Sequence, residues 1–472
     1  MVMGEETLET EVAVVGGGPG GYAAAFRAAD LGLDVTLINA EERLGGVCLL
    51  RGCIPSKALL QAAQLLHEAQ GAEEWGINFG EPEIDLDGLR AWKNGVVDKL
   101  VGGLEQLSEK RDVKVIQARA SFEGSNRLRL QDSDISHVEF ENAILATGSH
   151  PRTLSDIPIA ENGLVTASDT ALDLPGIPKN LLVIGGGYIG LEIGMVYAAL
   201  GSRVTLVEMT DGLLPGVDRD LVRPLARRAE DLFEAIHLNT KVASLEQDEE
   251  GLTVTFEGDA QDEEQSFDRA IVAVGRQPNS EELGLEEVGI ERDENGFIAV
   301  DEQMRTNKKH IYAIGDVAGE PLLAHKAMHE GKIAAEVIAG EPSAFDARCV
   351  PAVVYTDPEV AWCGLMEHEA KEQERSIEVA RFPWRASGRA LTQGTADGLT
   401  KLIFEAETER LLGMGIVGKG AENLIAEGAL AIEMGAVAQD LALTIHPHPT
   451  LTETESEAAE AFLGQATHII SR

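Results

Sequence analysis

The chain has 472 residues, 44% of them hydrophobic, which is enough for more than one buried core and excludes a disordered acidic tail. Lys and Arg number 39 against 80 Asp and Glu, a formal net charge of −41 that argues against a nucleic-acid or anionic-membrane partner. Four cysteines in this length are no secreted disulfide scaffold. The acidic residues are spread along the chain and the first Lys is Lys57. Such a surface suits a salt-rich cytoplasm, where screening removes self-repulsion. The opening stretch MVMGEETLETEVAVVGGG has no basic region, and no apolar run approaches the ~18 residues that span a bilayer. The expectation is a soluble cytoplasmic protein.

The first element is a strand, Glu11-Val-Ala-Val-Val, running into Gly16-Gly-Gly18-Pro-Gly-Gly21. A helix to Leu31 and a strand Asp34-Val-Thr-Leu-Ile-Asn39 follow. The same pattern recurs as Leu181-Leu-Val-Ile-Gly185-Gly-Gly187-Tyr-Ile-Gly190, a helix to Leu200 and a strand Arg203-Val-Thr-Leu-Val-Glu208. A lone G-x-G-x-x-G is weak, but strand, glycine turn, helix and second strand occur together twice. The first Gly allows the turn, the second admits a pyrophosphate, and the third lets helix pack on strand. The helix N-terminus then offers free N–H groups to phosphate.

Between the two copies lies Gly45-Gly46-Val-Cys48-Leu-Leu-Arg-Gly52-Cys53-Ile-Pro-Ser-Lys57. Five steps along a regular helix separate Cα atoms by roughly 8–9 Å. A disulfide needs less than about 7 Å, so joining Cys48 to Cys53 requires an irregular helix start, which Gly46 and Gly52 make cheap. A helix N-terminus near Cys53 also lowers its thiol pKa. The readings are a redox pair beside a flavin, two structural thiols, or half of a metal site; no Cys/His cluster at zinc spacing supports the last. Cys349 and Cys363 read as ordinary buried thiols.

Downstream, Ser244–Phe267 alternates as antiparallel strands around an acidic turn at 258–264. Strands follow at Ala270-Ile-Val-Ala-Val-Gly275 and at Ile311-Tyr-Ala-Ile-Gly315-Asp316. From about Arg348 mixed strands and helices without a nucleotide motif suggest a separate domain. Near the end, His448 sits between Pro447 and Pro449, which cannot be helix interior. It is either a structural turn or a proton acceptor near pH 7, with Glu453 placed to orient it.

These residues together resemble the pyridine nucleotide–disulfide oxidoreductases, and within that family the dihydrolipoamide dehydrogenases. The marks are the Cys48–Lys57 segment, Ala146-Thr-Gly148, Gly187-Tyr-Ile-Gly190-Leu-Glu192, Val274-Gly-Arg276-Gln-Pro, Tyr312-Ala-Ile-Gly-Asp316, Leu323-Ala-His325-Lys and His446-Pro-His448-Pro-Thr-Leu-Thr-Glu453. The resemblance implies an α/β fold of two Rossmann-like dinucleotide-binding domains plus a C-terminal mixed α+β dimerisation domain. It divides the chain into FAD-binding (1–150), NAD-binding (151–276), central FAD (277–347) and interface (348–472) parts. FAD would be held by Gly16, Gly18, Gly21, Asn39, Gly46, Lys57, Ala118, Gly148, Asp316 and Ala324. NAD would be held by Gly185, Gly187, Gly190, Glu192, Glu208, Val242 and Gly275, with no metal. Glu192 would partner Lys57, while His446 would be supporting and His325 structural.

The implied reaction begins with His448, backed by Glu453, taking a proton from a dihydrolipoyl thiol. The thiolate attacks a Cys48–Cys53 disulfide at Cys48, Cys53 is left as the thiolate, and electrons pass through FAD to NAD+. Partners would be a second copy of the chain and the lipoyl-bearing acyltransferase of a 2-oxoacid dehydrogenase complex or the lipoyl carrier of glycine cleavage. Glu208 would bond a ribose 2′-OH and repel a 2′-phosphate, which favours NAD over NADP.

Some positions depart from the family. Asn39 stands where Glu is usual, with Glu41 and Glu42 near enough to compensate. Leu50 and Arg51 fill the cysteine loop, and Ala118 and Ala120 stand for glycines, with a backbone contact expected at Ala118. Rivals fit less well. Glutathione-type reductases want NADPH-binding Arg residues, mercuric reductase a C-terminal Cys pair, and soluble transhydrogenase lacks the redox pair. A non-catalytic flavin-binding scaffold would not need Cys48, Cys53 and His448.

Overall fold

Strand and helix alternate at the start because the apolar runs are short, β-branched and cut by glycine. In the computed structural model the first strand is Thr7–Val15, followed by helix Pro19–Asp30 and strand Val35–Asn39, every residue of which is buried. A strand covered on both faces needs no polar alternation, which accounts for its continuous apolar run. The structure describes residues 6–154, 157, 159–160, 163–248, 251–260 and 263–470. Met1–Glu5 of the opening stretch, Gln261 and Asp262 of the acidic turn, and the last two residues lie outside them.

The first sheet runs in the order 114–117, 35–39, 7–15, 137–145, 127–131, 119–124, and strand Ile311–Ala313 also pairs with 137–145. It is parallel around Thr7–Val15 and antiparallel from 119 to 145. A late segment thus returns to complete an early sheet. Helix Ala324–Ile338 comes with it and packs on Pro19–Asp30, where a Cβ on Gly331 would lie 2.5 Å from Gly20 O.

The second sheet is wholly parallel, in the order 235–237, 203–207, 180–184, 269–272, 165–167. It closes over a core that includes Leu181, Leu206 and Leu225. The alternating stretch forms three antiparallel strands, Thr240–Gln247, Leu252–Gly258 and Glu264–Phe267. A short pair, 149–151 with 276–278, ties the two nucleotide-binding parts together.

The last part is a five-stranded antiparallel sheet, ordered 352–354, 360–364, 411–417, 399–405, 377–383. Helices Ala421–Met434, Ala438–Leu443 and Glu453–Phe462 cover it. Its core is built around Phe382, Trp384 and Phe404, and the buried indole N–H donates to Thr400 Oγ1 at 2.9 Å.

Candidate active site

The glycine turns show why the motif is needed. Gly16 adopts φ +111°, and a Cβ there would lie 2.2 Å from Ala146 O. A Cβ on Gly21 would lie 1.8 Å from Gly16 O, so helix and strand meet there only without side chains. Gly185 and Gly190 repeat both constraints, at 2.4 Å from Ala273 O and 2.0 Å from Gly185 O.

Beside the first turn lies a cavity of about 1010 Å3. Its wall brings together Gly16, Gly18, Asn39, Gly46, Cys48, Cys53, Lys57, Ala118, Gly148, Asp316 and Ala324. Tyr188, Ile189 and Glu192 reach it from the second domain. Of the residues expected around FAD, only Gly21 is outside the wall, because it is spent on packing. Gly185, Gly187, Gly190, Glu208, Val242 and Gly275 also lie outside it.

The wall suits a dinucleotide. A Cβ on Gly148, at φ +73°, would meet no protein atom within 4 Å and would occupy cavity space instead. Gly18 caps helix Pro19–Asp30 without a side chain, which leaves the first amides for an anion. Asp316 stands in the short turn Gly315–Val317 and accepts from Ser149 Oγ at 2.5 Å.

Asn39 does more than line the wall. Its Oδ1 accepts from Gly17 N at 3.1 Å, and its Nδ2 donates to Glu41 O and Arg43 O at 2.7 and 2.9 Å. Only one Oδ1 lone pair remains for a ribose. The Glu41 carboxylate lines the wall but is paired with Arg51, and Glu42 is exposed and outside the wall. The Ala118 N–H is also spent, donating to Asn39 O at 2.9 Å. The expected backbone contact there therefore falls to its carbonyl.

The helix break falls between the cysteines. Gly46–Arg51 forms one short helix, Gly52 turns out of it at φ −133°, ψ −109°, and Cys53 begins the helix Cys53–Gly71. Both sulfurs are thiols in this structure. The Cys48 thiol is raised, chiefly because it hydrogen-bonds Cys53, and Cys53 is lowered by the same bond. Lys57 also lowers Cys53. The Lys57 Nζ donates to both Glu192 oxygens, at 3.0 and 2.7 Å, and the Glu192 side chain is 4% exposed. The two shifts run in opposite directions and favour ionisation at Cys53 over Cys48.

His448 and Glu453 are absent from the cavity wall. The His448 side chain is 74% exposed, and its Nδ1 meets Glu453 Oε1 at 2.8 Å. The other Glu453 oxygen accepts from Thr450 N at 2.8 Å. Burial pushes that carboxyl up, but the hydrogen bonds from His448 and Thr450 outweigh it and hold it below the usual range. The Nδ1 bond orients the imidazole and leaves Nε2 outward. His446 is buried by contrast, with Nδ1 on Thr444 O and Nε2 on Glu427, which raises it. His325 Nε2 meets Pro351 O at 2.7 Å, a structural tie between domains.

The pyridine nucleotide-disulphide oxidoreductase profile matches residues 10–331, and its dimerisation-domain profile matches 350–459. The chain belongs to that family. It is an FAD- and NAD-dependent oxidoreductase. Among its relatives, the dihydrolipoyl dehydrogenase of Haemophilus influenzae is 49% identical over 98% of this chain and 97% of its own. That of Halobacterium salinarum is 46% identical over 100% of both. Among solved structures, LpdA of Mycobacterium tuberculosis is similar at a TM-score of 0.88 and 28% identity, covering 96% of this chain and 99% of that one. The HOCl-induced flavoprotein disulfide reductase RclA of Escherichia coli is similar at 0.85 and 27%, covering 95% and 99%.

Within the oxidoreductase site, several residues escape the motif reading. Arg276 donates to the Ser149 hydroxyl and carbonyl at 2.7 and 2.6 Å, and so braces the partner of Asp316. The Glu41–Arg51 pair fixes the cysteine loop from outside. Cys349 and Cys363 are not independent buried thiols: Cys349 is half-buried and hydrogen-bonded to Cys363. Arg276 was signalled as part of the Val274-Gly-Arg276-Gln-Pro mark, but not its contact with Ser149. Among the described residues, no helix is long and apolar enough to cross a membrane, and no group of three or more His, Cys, Asp or Glu could hold a metal.

Proposed function

We propose that this oxidoreductase is a dihydrolipoyl dehydrogenase that reoxidises protein-bound dihydrolipoyl groups. The observation that carries the reading is the placement of Cys48 and Cys53, with the Lys57–Glu192 ion pair beside them, in the wall of a cavity built by the first glycine turn. Relatives at 48–49% identity that carry that name over nearly the full length support it.

In this reading FAD is held by Gly16, Gly18, Asn39, Gly46, Lys57, Ala118, Gly148, Asp316 and Ala324 of the cavity wall, with Gly21 shaping the turn. NAD is held by Gly185, Gly187, Gly190, Glu208, Val242 and Gly275, with Glu192 at the boundary. The flavin, when bound, supplies the transfer of two electrons from the dithiol to NAD+. The protein's own steps are proton and sulfur chemistry. Nε2 of His448 takes a proton from a substrate thiol, and Glu453 stabilises the resulting imidazolium. The substrate thiolate attacks Cys48 of the disulfide, the S–S bond breaks, and Cys53 leaves as a thiolate. The second substrate thiol then displaces Cys48, which releases the oxidised lipoyl group. Lys57 stabilises the Cys53 thiolate by its charge.

Because His448 stands outside the cavity wall of its own chain, the active unit is a homodimer in which His448 of the partner subunit serves this cavity. The divisions at 150, 276 and 347 follow the same assignment. The substrate arm belongs to a 2-oxoacid dehydrogenase acyltransferase or a glycine-cleavage carrier. The setting is a cytoplasm of high salt, which the charge of −41 favours.

The test is absorbance of the purified protein in concentrated salt, first alone, then with dihydrolipoamide, then with NAD+. Flavin bands, a long-wavelength thiolate band lost in Cys53→Ser, and NADH formation are expected. Flavin without any response to dihydrolipoamide, but with turnover of another disulfide, would overturn the substrate. Mixing the inactive Cys53→Ser and His448→Ala proteins under subunit exchange restores activity if the site is shared, and none if it is not.

A further inference from the structure

The Lys57 ammonium is held from three parts of the chain at once. Lys57 itself stands on helix Cys53–Gly71, one turn from Cys53. Glu192 comes from helix Tyr188–Ala199 of the second nucleotide-binding part. The third contact is aromatic: Nζ lies 4.4 Å from the centroid of the Tyr355 ring, which belongs to the C-terminal part. The Tyr355 backbone N–H also donates to Glu192 Oε1 at 3.0 Å. One residue thus grips both members of the ion pair, its ring under the cation and its amide on the anion.

We propose that Tyr355 is a positioning residue that fixes the Lys57 ammonium beside Cys53 and so sets how readily that thiol ionises. A cation over an aromatic face is drawn to the negative face of the ring. Without the ring, Glu192 alone would hold Nζ, and a carboxylate alone draws the charge toward itself and away from sulfur. The geometry makes the thiolate depend on the docking of the C-terminal part, since Tyr355 reaches the site only from there.

The groups that face Cys53 are few. Cys48 and Lys57 lower it, whereas Glu192 and burial raise it. Tyr22, Tyr188 and Tyr355 each sense its charge. Within the same chain, Lys57 is the cation among those that act on Cys53. For scale, retreat of a cation from about 5 to about 7 Å from a thiolate, at an effective dielectric near 20, raises the thiol pKa by about 0.7 units.

The inference rests on Cys53 being the thiolate of the pair, and the test separates the two. The ultraviolet thiolate absorbance of the reduced full-length protein is titrated against pH, and the same titration of Cys53→Ser is subtracted. Loss of the low-pH thiolate signal in Cys53→Ser supports the assignment of the thiolate; its persistence overturns that assignment and the inference with it. Given that assignment, Tyr355→Leu is expected to shift the midpoint up by about half to one pH unit, while Tyr355→Phe, which keeps the ring, stays within about 0.2. Tyr355→Met is the second aliphatic variant, and it carries the test if the Leu protein does not fold. In a Lys57→Met background the Tyr355 change should have no further effect. An unmoved midpoint in the aliphatic variants, a Phe variant that behaves like Leu, or an undiminished shift without Lys57 would overturn the proposal.

Discussion

Glu455 has no role in the chemistry above, and its surroundings are hostile to a charge. It stands on helix Glu453–Phe462, is 0% exposed, and neither carboxyl oxygen has a hydrogen-bond partner. Burial, with the Glu427 charge adding to it, pushes this carboxyl from 4.5 up to about 9. The folded protein therefore keeps a proton that the unfolded chain releases near 4.5. A raised acid is harmless below its unfolded pKa and costs stability as pH climbs toward its folded pKa. Between 4.5 and pH 7 that cost grows to about 3 kcal/mol, at about 1.4 kcal/mol per pH unit. Methionine has nearly the same length and no charge. Glu455→Met should therefore stabilise the protein by about 2–4 kcal/mol at pH 7, and the gain should shrink steadily toward pH 5. Urea midpoints of both proteins, taken from pH 5 to 8 at one salt concentration, measure this directly. Glu455→Gln should give the same slope with a smaller offset, since it removes the titration without adding apolar contact. A gain that is flat with pH, or a net loss, would refute the argument, because it would mean the folded state carries the charge at no cost.

Three further substitutions test other parts of the reading. Lys401 is 1% exposed and binds Asp218, Asp220 and Glu367, so it joins the second nucleotide-binding part to the C-terminal sheet. Lys401→Met takes the ammonium from the buried Asp218, which keeps His368, while Asp220 and Glu367 keep Arg381, and should cost about 2–3 kcal/mol in thermal or urea unfolding. Burial raises Asp218, but Lys401 and His368 outweigh it and hold it down to about 2, so the cost should fall as pH drops from about 3.8 toward 2. Glu427→Gln removes the carboxylate that raises His446. It should destabilise by about 1–2 kcal/mol below pH 6.5, and the deficit should vanish as pH rises through the folded His446 pKa, read from unfolding midpoints against pH. Glu208→Gln removes the charge that opposes a 2′-phosphate, and should raise the NADP+ to NAD+ ratio of kcat/KM about tenfold in steady-state assays.

The legible parts of this molecule are those where backbone shape alone dictates the residue. Gly16 and Gly21 face carbonyl oxygens at 2.2 and 1.8 Å from any added Cβ, so the sequence had to declare them. The cysteine loop was legible for a related reason: two thiols five apart cannot meet on a regular helix, and Gly52 marks where it breaks. What stayed hidden depends on which distant segment arrives. Strand Ile311–Ala313 joins the first sheet across nearly 170 residues of intervening chain. Tyr355 looks like any strand-edge aromatic until its domain docks against Lys57. Cys349 and Cys363 share no local motif, because the strands that bring them together are paired antiparallel through Ala352↔Trp362.

The two glycine motifs also show how one position can be put to different uses. Asn39 ends one strand and Glu208 follows the end of the equivalent one, and each accepts from the amide of the residue between the first two motif glycines, Gly186 N at 2.6 Å and Gly17 N at 3.1 Å. Glu208 adds bonds from Thr210 N and Oγ1, both at 2.8 Å, so its charge is aimed and kept. A carboxylate can only accept. The Asn39 amide donates as well, and it spends both protons on the Glu41 and Arg43 carbonyls. That ties down the loop whose Glu41 grips Arg51, two residues before Cys53. On the proposed assignment of Asn39 to the FAD ribose, the first motif gives up a charge toward the ribose and gains a fixed approach to the cysteine helix. On the proposed assignment of Glu208 to NAD the second needs the charge, because selecting between nicotinamide dinucleotides is an electrostatic task and anchoring a loop is not.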